Sequence, residues 1–245
     1  MPPTDASTDA GTAPVSDLGT DPGPGPGTDN EDTLDLRLPD ELLALLGSEV
    51  ESAGGEDLLD RIGGWGPIAT PVGTFHLVPV RVERDLPLVS RWMNDPAVAE
   101  FWELAGPESV AEEHLRRQLD GDGRSVPCLG VLDGAPMSYW EIYRADLDLL
   151  ARHYPARPHD TGLHLLVGGV ANRGRGLGSA LLRAVADLVL DRRPACARVV
   201  AEPDLRNMPS VAAFLSAGFR FSAEVDLPGK RAALMVRDRS LRGLL

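Results

Sequence analysis

Six residues, Arg173-Gly174-Arg175-Gly176-Leu177-Gly178, limit the folds open to this chain more than any other tract. A strand-like run, Gly162 to Val170, leads into them, and an amphipathic segment, Gly176 to Asp191, follows without a break. In that segment Leu177, Ala180, Leu181, Ala184 and Leu188 share one helical face. Glycine accepts backbone angles that other residues resist, and it removes Cβ atoms from a ligand's path. Amides at a helix start have no intrahelical partner and carry about half a positive charge. A strand, a glycine turn and a helix start therefore make a seat for phosphate oxygens, to which Arg173 and Arg175 add mobile positive charge. The tract lacks the Lys-Ser/Thr of a P-loop, and no acidic residue closes a following strand as a dinucleotide fingerprint requires.

The surrounding pattern predicts a mixed α/β (α+β) domain. Strands are expected at Phe75–Val82, Val126–Leu132, Met137–Tyr143, Gly162–Val170, Ala197–Ala201, Phe219–Val225 and Arg231–Val236. Asp133-Gly134 reads as a tight hairpin turn. Helices are expected at Asp85–Asn94, Val110–Leu119, Gly176–Asp191 and Pro209–Ala217. This order fits a central mixed sheet covered by helices on both faces.

The boundaries come from composition. Residues 1–32 form an acidic Pro/Gly-rich tail that cannot bury enough apolar surface to offset its ordering entropy. Residues 33–70 read as a partly ordered arm with scattered leucines, and 71–245 as the main domain. The net charge of -13 falls wholly in residues 1–70, which hold fifteen acidic residues and two arginines. Such a segment repels nucleic acid and anionic membranes, so neither is an expected partner. There is no run of ~18 apolar residues and no secretory leader, which suggests a cytoplasmic protein. Cys128 and Cys196 stand far apart in no paired motif, so neither a disulfide framework nor a metal site is expected.

Arg173-x-x-Gly176-x-Gly178 resembles the R/Q-x-x-G-x-G/A signature of the Gcn5-related N-acetyltransferase (GNAT) superfamily. Asn207, Phe214 and Gly218-Phe219 are similar to its second signature, N-x6-Y-x3-G-F. The resemblance spans about residues 72–240 and implies a splayed central sheet that binds an acyl-coenzyme A. Val167, Gly168, Gly169, Val170, Arg173 to Ser179, Asn207 and Phe214 would then hold the cofactor. Many members carry a tyrosine at the position of Phe214 that protonates the leaving thiolate, and phenylalanine has no proton to give.

Several tracts resemble more narrowly the acyltransferases of hydroxamate siderophore biosynthesis: Trp92-Met93-Asn94-Asp95-Pro96, Phe101-Trp102, Ser138 to Tyr143, Pro158-His159-Asp160-x-Gly162-x-His164, and Glu202-Pro203-Asp204-x-x-Asn207. This implies transfer of an acyl group to the terminal amine or hydroxylamine of a lysine-like or diamine substrate. It assigns catalysis to His164 and Glu202, with Asp204 as the alternative acid. A histidine suits the proton handling of amine acylation, and strand alternation turns His164 away from the side of Leu163 and Leu165. Trp102, Trp140, Glu141, His159 and Asp160 are the expected substrate contacts. Trp92, Phe101, Trp102, Tyr139, Trp140 and Tyr143 wall a pocket or belong to the core, while His76, His114 and His153 are read as structural or solvated. A contact of the arm with a siderophore synthetase is a further expectation. The competing readings are an aminoglycoside or polyamine acetyltransferase and a non-catalytic acyl-coenzyme A-binding protein.

Overall fold

A computed structural model describes residues 59–244. The tail expected over 1–32 and the arm as far as residue 58 lie outside the described residues. Leu59–Thr70, read from sequence as the loose end of that arm, belongs instead to the domain. A 3-10 turn, Leu59–Gly64, places Leu59, Ile62 and Trp65 in the core beside Phe75 and Leu77. Burying such side chains contributes roughly 1.5–3 kcal/mol each, which outweighs the flexibility of Gly63 and Gly64.

Eight strands form one sheet: β1 Ile68–Thr70, β2 Gly73–Pro79, β3 Ser125–Leu132, β4 Ala135–Arg144, β5 Thr161–Val167, β6 Arg198–Ala201, β7 Arg220–Leu227 and β8 Lys230–Asp238. Their order is β1-β2-β3-β4-β5-β6-β8-β7. Five helices accompany them: α1 Val82–Met93, α2 Pro96–Trp102, α3 Glu108–Leu119, α4 Leu177–Arg192 and α5 Met208–Ser216. The sequence pattern anticipated all of these except β1 and α2. Helix α2 is too short for a helical period to show, but it has a clear start: Asp95 accepts from Ala97 N at 3.0 Å and Pro96 follows. Among the described residues, no helix is long and apolar enough to cross a membrane.

Two features position the site. Neighbouring strands are antiparallel except β5 and β6, which run parallel and share only the register pairs Thr161↔Val199 and Gly162↔Val200. Beyond Gly162 the two strands part, and a cleft opens between them. The second feature is the alternation of side chains along β4 and β5. Trp140, Ile142, Leu163 and Leu165 pack with Leu181, Leu182 and Val185 of α4. Tyr139 and Leu166 pack with Val89, Trp92 and Met93 of α1 and Leu115 of α3. Glu141 and His164, paired across the two strands, lie on this second face.

Candidate active site

Four elements deliver one polar cluster to the cleft. His164 comes from β5, Glu141 from β4, Glu202 from the residue after β6, and His114 with Gln118 from α3. His164 Nδ1 meets Glu141 Oε2 at 2.8 Å, and Nε2 meets Glu202 Oε1 at 2.5 Å. The other oxygen of Glu141, Oε1, accepts from Tyr139 Oη (2.9 Å) and Gln118 Nε2 (2.8 Å), and pairs with His114 Nε2 at 2.5 Å. Tyr143 Oη donates to Glu202 Oε2 at 2.8 Å, and its ring lies 4.8 Å from the imidazole. Gly162 is required here: a Cβ at that position would fall 2.0 Å from the Tyr143 ring.

The electrostatics follow from this crowding. Burial alone would drive His164 toward the neutral ring, but the charge of Glu202 and the contacts with both carboxylates outweigh it, raising its pKa to about 10. Glu202 is lowered to about 2: burial opposes its charge, while His164, Lys230 and the Tyr143 hydroxyl favour it. Glu141 is likewise held below the usual carboxylate range, burial being outweighed by His114 and His164. Near neutral pH the cluster is thus an imidazolium between two carboxylates. A third of the His164 side chain faces the cleft, while Glu141 and Glu202 are almost covered.

The cleft, of about 250 Å³, is walled by Phe101 and Trp102 on one side and by Asn207, Ser210 and Phe214 on the other. Asn207 caps α5 through Ser210 N at 3.1 Å, and Phe214 packs edge-on against Phe219 at 5.1 Å. At the head of α4, Gly174 and Gly176 have φ of 72° and 75°, left-handed values that favour glycine. The first bond of the helical ladder is Ala180 N to Gly176 O at 3.2 Å, so the amides of Leu177, Gly178 and Ser179 precede it. Arg175 is exposed beside them.

Several residues expected at the site lie elsewhere or are engaged by other groups. Trp140 is fully buried on the opposite face, packed on Phe75 and donating to Ser138 Oγ at 2.9 Å; neighbours in a strand point to opposite faces, so it and Glu141 do not share the cleft. Asp160, expected at the substrate, is completely buried and bound to Arg198 and Tyr154 Oη, where it anchors the loop before β5. His159 sits in that loop at φ 67°, its amide donating to Asp146 Oδ2 at 2.9 Å, outside the cleft lining. Asp204 lines the cleft, but its carboxylate turns to Arg206, at 2.8 Å from the amide and 2.7 Å from Nη2; Glu202 is the acid that reaches His164. Arg173 is engaged by three acceptors. It donates to Val167 O (2.9 Å), Gly168 O (3.1 Å) and Asp95 Oδ1 (2.9 Å), tying the glycine turn to the start of α2. Those carbonyls belong to Val167 and Gly168, two of the residues expected to hold the cofactor. Gly168 is glycine for packing, since a Cβ there would lie 2.1 Å from the Trp92 ring. Gly169 precedes a 3-10 turn, and Val170 is largely exposed. Sequence reasoning missed His114, Gln118 and Lys230. His114 and Gln118 stand four apart on α3, a spacing that puts two polar groups on one helix face.

Comparison with known proteins places this cluster in a family. The Acetyltransferase (GNAT) domain profile matches residues 81–227. The chain belongs to the GNAT acetyltransferase family. Within that family it is similar to the lysine N-acyltransferase MbtK of Mycolicibacterium paratuberculosis, with 39% identity over 66% of this chain and 76% of the relative. It is 40% identical to an N(6)-hydroxylysine O-acetyltransferase of Escherichia coli over 61% of this chain, a match that spans 47% of that longer protein. Among solved structures, an aminoglycoside acetyltransferase, AAC(6')-Ib with coenzyme A and kanamycin, superposes with a TM-score of 0.60. It has 25% identity, covering 68% of this chain and 95% of the other. GNAT chemistry is acyl transfer from a coenzyme A thioester. The residues present fit such a co-substrate: amides at the head of α4 suit a diphosphate, and β5 and β6 part beyond Gly162, which leaves a gap for an extended arm.

Proposed function

We propose that this GNAT enzyme transfers an acyl group from acyl-coenzyme A to the side-chain amine or hydroxylamine nitrogen of a lysine-like acceptor, in the assembly of a hydroxamate siderophore. The observation that carries the reading is His164 held between Glu141 and Glu202 at the mouth of a cleft shared with Asn207 and Phe214. The two relatives described above, named for lysine and N6-hydroxylysine acylation, support the acceptor class. The buried, unpaired Cys128 and Cys196 suit a cytoplasmic enzyme.

In this reading the acceptor nitrogen approaches Glu202 and competes with His164 for Oε1. Glu202 contributes the largest favourable charge effect on the ring, so a weaker contact lowers the affinity of His164 for its proton. The ring then returns toward its ordinary range and can pass a proton to the departing thiolate. That step supplies what Phe214 lacks. A lysine-type amine first loses its ammonium proton to solvent; the neutral nitrogen then bonds the thioester carbon as the C–S bond breaks, and the proton it sheds restores the imidazolium. Phe101 and Trp102 cover the acceptor's alkyl chain.

A turnover panel of lysine, N6-hydroxylysine, N-hydroxycadaverine and kanamycin, read by released thiol, tests the proposal. Expected is a kcat/KM at least about tenfold higher for one of the first three than for kanamycin, a difference of roughly 1.4 kcal/mol in transition-state binding. Preference for kanamycin replaces this reading with the aminoglycoside one, and coenzyme A binding without turnover on any amine replaces it with a non-catalytic role.

A further inference from the structure

Lys230 is the sole lysine of the chain, and the other 23 of its 24 basic Lys and Arg residues are arginine. It opens β8 and lines the same cleft as His164. Its Nζ donates to Glu202 O at 2.8 Å and lies 3.5 Å from Glu202 Oε1, the oxygen that His164 Nε2 reaches. About a third of its side chain, 32%, remains exposed. As a counter-ion to Glu202, an arginine would serve as well, with a planar fork of donors suited to a carboxylate. What lysine alone brings is a primary alkyl amine, a group of the class that the proposed reaction acylates. It stands where the proposal above places the incoming acceptor, on the carboxylate that holds His164.

We propose that Lys230 is a self-acylation site, a tethered acceptor that takes the acyl group when no free amine fills the cleft. The inference rests on the acyl-transfer reading. The Lys230 ammonium gives up one proton through the Glu202–His164 pair to solvent. The neutral Nζ attacks the thioester carbonyl carbon, a C–N bond forms and the C–S bond breaks. Coenzyme A leaves as the thiolate and takes the second proton from nitrogen. The products are an amide on Nζ and free coenzyme A, with no oxidant or reductant needed. The amide has no charge, so Glu202 loses a cation beside it, and the acyl arm occupies space that a free acceptor needs. Self-acylation therefore slows turnover.

The test incubates the full chain with acetyl-coenzyme A and no acceptor, then reads intact mass and maps the modified peptide. Expected is a gain of one acetyl group on Lys230, blocked by added N6-hydroxylysine, abolished by Lys230→Arg, and slowed roughly 100-fold by His164→Ala. Three results overturn the inference: no gain in a preparation that releases thiol with a free acceptor, a gain only on the terminal amine, or an equal rate in urea-unfolded protein or in His164→Ala. Failure of the function itself looks different, since such a preparation releases no thiol with any acceptor.

Discussion

The two walls of the proposed site, one at the head of α4 and one in the cleft, are made from different materials. The wall at the head of α4 is main chain: three amides, two left-handed glycines and an N-terminal dipole, with little that titrates. The wall gathered from β4, β5, α3 and the end of β6 is side chain: two carboxylates, two imidazoles and two phenols, linked to one another. In the proposed reading the first recognises a shape and a charge that every acyl-coenzyme A carries, and the second handles protons and meets the acceptor. Binding and chemistry should therefore separate under mutation.

The largest separation is expected at His164. His164→Ala should lower kcat by about 100-fold or more, the range for loss of a positioned acid or base, with calorimetry finding coenzyme A affinity within about twofold of the parent. A matching loss of affinity would mean that the walls are not independent. Gly176→Val should do the reverse. A β-branched residue at φ 75° is strained by roughly 1–3 kcal/mol, so the KM for acyl-coenzyme A should rise about tenfold or more while the imidazole titration seen by NMR stays where it was.

These contrasts track what could be read in the chain. The phosphate wall was legible because it is contiguous: a strand, a glycine turn and a helix start lie within about twenty residues, and the fold followed from the same periodicities. The chemical wall is assembled from positions 114, 141, 164 and 202, and no local pattern links them. Parity gave the direction of His164, and the same rule, applied to β4, separates Trp140 from Glu141. Composition alone could not say that Asp160 is consumed by Arg198. Nor could it say that Arg173, expected to bind the cofactor, spends its donors on two carbonyls and Asp95.

A pH series sharpens the comparison further. The pKa of His164 is raised in the folded state to about 10 from 6.5, so its stabilisation is complete below pH 6.5 and disappears as pH climbs through 10. Glu202 is lowered to about 2 from 4.5, so its share is present above pH 4.5 and is lost as pH drops through 2. Denaturant midpoints of the parent should therefore converge on those of His164→Asn between pH 7 and 10. A constant gap across that interval would remove the carboxylate clamp on the ring. The smallest effect is expected at the link between the walls. Asp95→Ala removes the cap of α2 and the partner of Arg173, costing about 1 kcal/mol of stability, and should raise both KM values modestly. A change in one KM alone would show that the link carries no coupling.

The seam between β5 and β6 has one more consequence. With backbone pairing confined to two positions, the sheet is two plates, and what latches them above that hinge is Glu202, holding His164 and Tyr143 from the far plate. In the proposed mechanism an acceptor that draws Glu202 away from His164 also removes a fastening between the plates, and a thioester lying in the gap would take its place.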